Sequence, residues 1–477
     1  MKKKRWRMAL GAALSLSMVV AVSPATAAPP EAAPPADRLA KFAESIDHLR
    51  STYGISAGEA LRRLDVQRDA PAIEQALLGR FPNDFAGMWL DQPNGGVLVI
   101  RMVRPGLMNN PPAELDAVNY RVEGAKWSLT ELRATRDRLE AAGTPTALSF
   151  VVDEQRNVVM AYDWSTTPTE RAATTRTRMS FADEQGQVVD APDQSAVKAD
   201  HGDWLTAEDT IVGTEPTEGP ELPEPPDGAA PAPQACDFLS CGPPPMRGGF
   251  RLKIPRDNGS NGYCTNGFNV KGSNGFVYTL TAGHCVLGPN HTKRDRSSHN
   301  NVAVGYELDA TRNPTYPLDY AIMPYQNPPG AGYWLPANKA KNIVYSQCRA
   351  DSPRTGCRNG NIGMVGIHGY DAIRVGWVVC HTGSATPDYG GRNWLPGTRC
   401  GQVTVKDGGI RTNLCSRPTD SGGPLFSQID NRGYGILTGG SPAQGECTTR
   451  EYSRFSPLSK VFADAELHSR IRMSLIT

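Results

Sequence analysis

The distribution of cysteine constrains this chain more than any other feature of its sequence. All ten cysteines lie between Cys236 and Cys447, and none lies in residues 1–235. An even number of cysteines confined to one segment is typical of disulfides in an exported domain. Zinc is the competing interpretation, but there is no CxxC pair, which is the usual mark of a structural zinc site. The sequence therefore predicts a disulfide-stabilised part from about residue 236, with no metal and no cofactor.

The first 27 residues predict export. MKKKRWR is basic, residues 8–22 are apolar, and the stretch then ends in Pro24-Ala25-Thr26-Ala27. This pattern is typical of a secretory signal peptide that is cut after Ala27. The apolar run is too short to span a bilayer core of about 30 Å comfortably. We therefore expect a secreted, extracellular protein with no membrane anchor.

The charge of the chain changes sign where the cysteines begin. Residues 28–235 carry 19 basic and 33 acidic side chains, whereas residues 236–477 carry 26 basic and 16 acidic ones. Opposite net charges predict that the two parts dock in a preferred orientation, although two independent domains would have the same composition. The basic part has no basic run with interleaved aromatic residues, so nucleic-acid binding is not favoured.

A proline-rich linker separates the two parts. Residues 214–235 read TEPTEGPELPEPPDGAAPAPQA and include seven prolines. This composition cannot build a packed core and is typical of an extended, accessible linker. Because proteases cut exposed linkers, we expect a cleavable boundary between residues 28–213 and residues 236–477.

Residues 28–213 predict an α+β domain. The runs AESIDHLRSTYG and SAGEALRRL have helical periodicity, and Ser56 with Glu59 forms a capping-box pattern. A further helix is predicted in SLTELRATRDRLEAAG, with Ser128 as its N-cap and Gly143 at its end. Two hairpins are predicted, FAGMWLD with GGVLVIRMV and TALSFVVD with NVVMAYD.

Residues 236–477 predict an all-β domain. Short β-type runs are broken by Gly, Asn and Pro, among them FRLKI, GFVYTLTA, NVAVGYEL, VGWVVCH and GYGILTGG. Helical periodicity is confined to SPLSKVFADAEL near the C-terminus. Many short strands with turn signals are typical of an antiparallel sandwich or barrel.

Three local motifs in this part carry side chains suited to nucleophilic catalysis. TAGHC contains His284, PLDYAIMPY contains Asp319, and LCSRPTDSGGPLF contains Ser421. A serine hydroxyl needs a base to take its proton and a carboxylate to orient that base. Each motif alone is more often structural, as a buried histidine, a turn-capping aspartate or a loop. Together, in one disulfide-rich β domain, they predict a Ser-His-Asp triad.

These motifs resemble those of the chymotrypsin-like serine proteases. The finer resemblance is to the secreted bacterial members, streptogrisin and alpha-lytic protease, through IRTNLCSRPTDSGGPLF and GILTGGSPAQGEC. It extends to YGISAGEALRRL, FAGMWLDQPNGGVLVI and LRATRDRLEAAGTP, which are similar to the pro-region of those proteases. The resemblance implies two antiparallel six-stranded β-barrels in residues 236–477. It also implies that residues 28–213 form a pro-region that assists folding and inhibits the enzyme.

The resemblance also implies a role for each site residue. Ser421 would be the nucleophile, His284 the general base and acid, and Asp319 the carboxylate that orients the histidine. The backbone N–H groups of Thr419 and Ser421 would form the oxyanion hole, where one donor contributes about 10²–10³ in rate. The residues implied to bind substrate are Asn413 and Leu414 at the base of the specificity pocket, and Leu437, Thr438, Gly439 and Gly440 along its wall.

The same resemblance implies how the cysteines pair. The implied disulfides are Cys264–Cys285, Cys380–Cys400 and Cys415–Cys447, and the remaining pairs would then be Cys348–Cys357 and Cys236–Cys241.

Two residues depart from the pattern of the family. Thr419 stands where glycine is usual, and a β-branched residue is strained at positive φ. Either the loop relaxes to suit threonine, or the oxyanion hole is distorted until substrate binds. His381 stands where an arginine commonly pairs with the aspartate that matches Asp420. If His381 takes over that pairing, the order of the loop should weaken as pH rises through the histidine pKa.

The sequence favours protein or peptide substrates with large apolar or aromatic residues at the cleaved position. Leu414, Leu437 and the neighbouring glycines indicate an apolar pocket, and no acid stands at its expected base. We expect a monomeric serine endopeptidase whose partners are its substrates and its own pro-region. The alternatives are a catalytically weakened binding module and an ester hydrolase. Cleavage before Cys236 and cleavage near Met246-Arg247 are both compatible with the sequence.

Overall fold

The computed structural model describes residues 35–141, 148–163, 179–182, 188–190, 237–256, 259, 261–286, 296–306, 312–313, 316–325, 330–336, 342–348, 359–385, 396–441, 447–448 and 451–476. The predicted signal peptide, the linker, Gly143, Cys236 and Cys357 lie outside the described residues. Within the described part, no helix is both long enough and apolar enough to cross a membrane.

Residues 35–190, called here the N-terminal part, begin with helices whose starts are set by local capping. The backbone N–H of Glu59 donates to Ser56 Oγ at 3.1 Å. The N–H of Glu131 donates to Ser128 Oγ at 3.2 Å, and the N–H of Ser128 donates to the Glu131 carboxylate at 2.8 Å. These pairs satisfy backbone donors that the first turn leaves free. The helices are α1 (Ala36–Lys41), α2 (Ala43–Tyr53), α3 (Ala57–Arg80) and α4 (Leu129–Ala141).

The strands of the N-terminal part form two small sheets. In the first, β1 and β2 make the predicted antiparallel hairpin, and β3 adds to β2 in parallel. In the second, β4 to β7 follow one another as antiparallel neighbours. The strands are β1 (Phe85–Asp91), β2 (Val97–Met102), β3 (Tyr120–Gly124), β4 (Leu148–Asp153), β5 (Val158–Asp163), β6 (Met179–Ala182) and β7 (Val188–Asp190). The described part of this segment is therefore α+β.

Residues 237–476, called here the cysteine-rich part, open with a helical turn and two sheets. The elements in order are α5 (Phe238–Cys241), β8 (Arg251–Pro255), β9 (Asn261–Thr265), β10 (Phe268–Gly272), β11 (Val277–Thr281), β12 (Arg296–His299), β13 (Val302–Tyr306), β14 (Arg312–Asn313), β15 (Tyr320–Pro324), α6 (Gly330–Trp334), β16 (Ile343–Ser346) and β17 (Gly360–Gly363). One sheet has the order β13-β12-β8-β9, and the other joins β14, β15, β11 and β10 to the last strand, β25 (Met473–Leu475). Strands β16 and β17 pair with each other.

The second half of the cysteine-rich part is a closed barrel. Its elements are β18 (Gly366–Ile367), β19 (Val378–Gly383), β20 (Gly397–Lys406), β21 (Ile410–Thr412), β22 (Pro424–Phe426), β23 (Arg432–Gly440), β24 (Ser453–Pro457) and α7 (Leu458–Ser469). The strands run in the order β23-β22-β19-β20-β21-β24, and β24 pairs back to β23. Closure leaves the six strands of the ring with no free long edge, which protects the sheet from pairing with other chains.

The prediction of a β-rich domain with a six-stranded barrel therefore holds for the second half. The described strands of the first half form two larger sheets, of five and four strands, linked by an isolated bridge between Gly305 and Tyr325, beside the two-stranded sheet of β16 and β17. The helix predicted from SPLSKVFADAEL is α7, and it leads into β25, which pairs with β10 in the first half.

The N-terminal part packs on the closed barrel and shares a hydrophobic core with it. The core contains side chains from both parts, among them Leu90, Ile100, Tyr162, Trp377, Val403 and Phe455. The buried amide of Gln67 donates to the Val378 carbonyl at 2.9 Å and accepts from its N–H at 2.7 Å. Gly376 has φ +86°, and a Cβ there would lie 2.0 Å from the Leu90 carbonyl oxygen. This contact therefore depends on the absence of a side chain at residue 376.

Candidate active site

The pairing of two strands brings His284 and Asp319 together. His284 lies in a short 3₁₀ turn, Gly283–Cys285, that follows β11, and Asp319 comes directly before β15. Because β11 and β15 are antiparallel neighbours, the end of one lies beside the start of the other. The Cys264–Cys285 disulfide further ties the turn to β9.

The contact between His284 and Asp319 is bidentate. The distance between His284 Nδ1 and Asp319 Oδ2 is 2.6 Å, and the backbone N–H of His284 donates to Oδ1 at 2.9 Å. A carboxylate at this distance requires the proton on Nδ1, which leaves Nε2 free to act as a base. Burial alone lowers the pKa of His284, but attraction to Asp319 and the hydrogen bond that His284 donates to it raise the pKa above its usual 6.5.

The segment around Ser421 is held against the same turn by its backbone. The N–H of Thr265 donates to the Ser421 carbonyl at 2.8 Å, and the N–H of Gly422 donates to the Leu437 carbonyl at 2.7 Å. Cys285 Sγ lies 4.0 Å from the same Ser421 carbonyl oxygen. Gly422 has φ +83°, and a Cβ there would lie 2.0 Å from Thr281 Oγ1. The structure thus brings the segment carrying Ser421 next to the residues that flank His284.

Thr419 occupies the strained conformation that glycine usually supplies. Its φ is +79°, it is 2 % exposed, and its carbonyl accepts a hydrogen bond from Thr265 Oγ1 at 2.7 Å. Its own Oγ1 is buried without a hydrogen-bond partner among the described residues. The loop has therefore not relaxed to suit threonine. A residue other than glycine in this region of φ costs about 1–3 kcal/mol.

We predict that Thr419→Gly raises the free energy of unfolding by about 1 kcal/mol. Glycine relieves the strain and removes the unpaired hydroxyl, while its greater freedom in the unfolded chain offsets part of the gain. Thr419→Ala keeps the Cβ but removes the hydroxyl and the γ-methyl group, so its stability should lie between those of the parent and Thr419→Gly. The measurement is the urea midpoint of each variant in the Ser421→Ala background. A lower midpoint for Thr419→Gly would contradict the interpretation.

Asp420 is satisfied by backbone donors, and no hydrogen bond to His381 is seen. Its Oδ1 accepts from the Ala385 N–H at 2.8 Å and its Oδ2 from the Arg417 N–H at 2.9 Å. The ring of His381 contacts the Pro424 carbonyl through Nδ1 at 3.2 Å, and its Nε2 is buried without a partner among the described residues. Burial lowers the pKa of His381 to about 4, although the nearby Asp420 acts in the opposite direction. The hypothesis of a His381–Asp420 ion pair is therefore wrong, because a neutral histidine carries no charge for it.

Because His381 stays neutral above its pKa, it should not contribute to the pH dependence of kcat/KM between pH 5 and pH 8. We predict that His381→Gln has the same acid limb in kcat/KM as the parent protein. The comparison uses one peptide substrate across this pH range. A limb that moves or vanishes in the variant would show that His381 titrates there.

The residues implied to bind substrate lie on one side of the closed barrel. Thr438, Gly439 and Gly440 end β23. Gly439 and Gly440 pair with β24, and Thr438 lies at a register shift in that pairing, whereas the pairing of β22 with β23 stops at Ile436. The opposite edge of these last three residues has no partner among the described strands and can accept a substrate strand. Leu437 and Leu414 are each 1 % exposed and belong to the core.

Asn413 and Leu414 border a cavity at the junction with the N-terminal part. Its volume is about 690 Å³, and its lining includes Cys415 and Cys447 from the barrel and His48 and Ser51 from α2. The Asn413 amide oxygen accepts from the Gln402 N–H at 2.6 Å. The base of the predicted pocket therefore lies against helix α2 in this structure.

The structure contains three disulfides between described cysteines, Cys264–Cys285, Cys380–Cys400 and Cys415–Cys447. Cys241 and Cys348 are also disulfide-bonded. The second cysteines implied for them, Cys236 and Cys357, lie outside the described residues.

Sequence reasoning missed a buried ion pair next to the candidate nucleophile. Arg417 Nη1 lies 2.5 Å from Glu451 Oε2, and both side chains are buried. Two local signals were available, a basic residue four positions before Ser421 and an acid four positions after Cys447. Neither signal indicates by itself that the two side chains meet.

Comparisons with known proteins place the chain among serine proteases. No family model matches it. It is 32% identical to "Serine protease 2" of Streptomyces fradiae over 192 residues, which are 39% of this chain and 91% of that protein. It is 26% identical to Streptogrisin-A and 29% identical to Streptogrisin-D, both of Streptomyces griseus. The matches cover 42% and 43% of this chain, and it spans about half the length of those two relatives, 54% and 44%.

Solved structures that resemble the chain include a Nocardiopsis protease, NAPase, with a TM-score of 0.32 and 21% identity over 49% of this chain and 99% of that one. Another is a glutamic acid-specific serine protease described as using a histidine triad in substrate binding, with a TM-score of 0.32 and 20% identity over 48% of this chain and 100% of that one. The relationship rests on the first sequence match, which covers nearly all of a serine protease. With the geometry around His284, Asp319 and Ser421, it leads to one conclusion: the chain belongs to the family of streptogrisin-type serine proteases.

Proposed function

We propose that the chain is the precursor of a secreted serine endopeptidase in which Ser421, His284 and Asp319 form the catalytic triad. The observation that carries the proposal is the 2.6 Å contact between His284 Nδ1 and Asp319, in a turn next to the segment that carries Ser421. We also propose that the two sheets of the first half form a second barrel, with the site in the cleft between the barrels. The bridge between Gly305 and Tyr325 supports that arrangement.

The reaction follows from the protonation states of these groups. Ser421 Oγ attacks the carbonyl carbon of the scissile peptide while His284 Nε2 takes its proton, and Asp319 stabilises the resulting imidazolium. The N–H groups of Thr419 and Ser421 donate to the oxyanion. The imidazolium then gives its proton to the leaving amine, and an acyl-enzyme forms on Ser421. Water, deprotonated by His284, hydrolyses this ester and regenerates the serine.

Residues 28–213 would act as a pro-region that assists folding and inhibits the enzyme. Contact with the closed barrel supports this role, since the N-terminal part covers core residues and bonds the edge of β19 through Gln67. A template that stabilises the barrel lowers the barrier to a native state that is afterwards maintained kinetically. Cleavage would separate the pro-region from the enzyme, and inhibition would end once the separated pro-region is degraded.

We propose that maturation cuts the chain before Cys236 and not near Met246-Arg247. Leu239, Met246 and Phe250 are completely buried in the core of the first half. The N–H of Met246 donates to the Trp334 carbonyl at 2.8 Å. Cleavage at Met246 would remove Leu239 from this core and leave a cavity, which costs about 2–5 kcal/mol for a leucine side chain.

The mature enzyme should prefer large apolar or aromatic residues at the cleaved position. Leu414 and Leu437 are apolar, and the buried acid of the neighbouring segment, Glu451, is paired with Arg417. We predict that a peptide library gives cleavage mainly after Phe, Tyr, Leu or Met, by at least about tenfold over Lys, Arg and Glu. A profile dominated by a charged residue would refute this preference.

The test of the function is intact-mass analysis of the processed protein after treatment with a fluorophosphonate. One adduct on Ser421, absent in Ser421→Ala, is the expected result, because only an activated serine reacts stoichiometrically. No adduct on folded, disulfide-bonded protein would overturn the proposal and favour a binding module. An adduct with turnover of esters but not of peptides would favour an ester hydrolase.

A further inference from the structure

The loop that carries the candidate oxyanion hole begins at a buried charged side chain. The side chain of Arg417 is 0% exposed, and that of Glu451 is 5% exposed. Arg417 Nη1 donates to Glu451 Oε2 at 2.5 Å and Nη2 donates to Oε1 at 3.2 Å. This two-point contact fixes the guanidinium plane as well as its distance, which lysine could not do.

Both partners of this pair are also bonded to their own segments. Arg417 Nη1 donates to the Ser416 carbonyl at 2.8 Å. Glu451 Oε1 accepts from the Thr448 N–H at 2.9 Å. The pair therefore joins the residues before the nucleophile to the segment that follows Cys447, on the far side of the Cys415–Cys447 disulfide.

The backbone of Arg417 connects this ion pair to the loop that carries the candidate oxyanion hole. Its N–H donates to Asp420 Oδ2 at 2.9 Å, and its carbonyl accepts from the Asp420 N–H at 3.0 Å. The turn so closed contains Thr419 and leads directly into Ser421. The φ of Thr419 is +79°. A β-branched residue keeps such a strained conformation only when the surrounding structure fixes it.

The ring of His381 contacts the Pro424 carbonyl, whereas Arg417, on the same loop as Asp420, forms a buried ion pair. We propose that the Arg417–Glu451 pair is a positioning device that aligns the N–H groups of Thr419 and Ser421 for the oxyanion. This inference rests on the proposed function. The two side chains act through the backbone of the loop and do not touch the substrate carbonyl. Their loss should therefore lower kcat and the rate of acylation more than it raises KM.

The experiment compares the parent protein, Arg417→Lys and the double variant Arg417→Met/Glu451→Met, each processed in the linker by an added protease. The double variant replaces the buried pair by apolar side chains, which avoids leaving one charge unpaired. We expect kcat and the fluorophosphonate rate to fall by about 10²-fold, the loss typical of one oxyanion donor. KM should change by less than about threefold. Arg417→Lys keeps the charge but loses the two-point contact of the guanidinium, so its kcat should fall by about tenfold.

Two outcomes separate the inference from the proposed function. If the parent is labelled on Ser421 and either variant keeps the parental kcat, the pair is only structural and the inference is overturned. If the parent itself is not labelled, the proposed function has failed. Asp430→Asn is the control, because it alters a different, partly buried contact, that of Asp430 Oδ2 with His368 Nε2 at 2.6 Å, and should leave kcat within about twofold.

Discussion

Replacing Asp319 by asparagine should lower kcat by about 10⁴-fold, the loss typical of this change in Ser-His-Asp proteases. An amide at this position donates to Nδ1, so the histidine proton moves to Nε2 and cannot accept the serine proton. The pH profile should change as well. His284 must be neutral to act as a base, and Asp319 raises its pKa, so activity is lost as pH falls through a value above 6.5. In Asp319→Asn this acid limb should move to lower pH. Both effects are measured in kcat/KM between pH 5 and pH 9.

Asp430→Asn is the control for this prediction. His368 and Asp430 are also 2.6 Å apart, but His368 packs against Trp377 and Tyr434 and not against the Ser421 segment. Asp430→Asn should leave kcat within about twofold of the parent value and should not move the acid limb of the pH profile. If Asp319→Asn behaves like this control, Asp319 does not orient the catalytic base.

Arg374→Met should destabilise the full chain by about 3–5 kcal/mol, the usual effect of removing one side of a buried ion pair. Arg374 is 2% exposed, and its Nη2 and Nη1 lie 2.5 Å from Glu74 and 3.1 Å from Glu154, both in the N-terminal part. Burial raises the pKa of Glu154 although Arg374 acts in the opposite direction. Without the arginine, both carboxylates would be buried next to each other. The measurement is the urea midpoint of the full chain in the Ser421→Ala background.

Arg136→Met is the matched control. It removes a partly exposed ion pair that also joins the N-terminal part to the cysteine-rich part. Arg136 Nη1 lies 2.6 Å from Asp371 Oδ2, and the Asp371 side chain is 45% exposed. Such pairs contribute about 0–1 kcal/mol. An equal effect of the two variants would mean that burial does not set the strength of these contacts. No shift of the midpoint in Arg374→Met would contradict the prediction.

Features with a local cause were predicted well from the sequence. The capping boxes at Ser56 and Ser128 involve residues three positions apart, so a short stretch contains both partners. The hairpin of β1 and β2 follows from a turn between two apolar runs. The motifs around His284, Asp319 and Ser421 were found because nucleophilic catalysis demands particular residue types. The meeting of His284 and Asp319 depends on the pairing of β11 with β15, which lie far apart in the sequence.

Contacts between distant segments could not be predicted in the same way. Gln67 meets Val378 across 311 residues, and no local pattern marks either as a partner. His381 shows the same limit, because its charge depends on how deeply it is buried and not on its distance from Asp420 along the chain. The opposite net charges of the two parts predicted attraction but not which pairs form. Arg374 with Glu74 follows that sign, whereas Arg136 with Asp371 reverses it.

The division of the chain at the linker stays a prediction. The sequence by itself determined the β-rich character of the cysteine-rich part and supplied the three residue types of the candidate triad. These follow from composition, periodicity and residue type, which act over a few neighbouring residues. Only the tertiary structure decided that Thr419 keeps a positive φ, that Asp420 is held by backbone N–H groups, and that Arg417 pairs with Glu451. The reason is that a buried polar group takes the donors that packing places within about 3 Å, and packing joins residues from the whole chain.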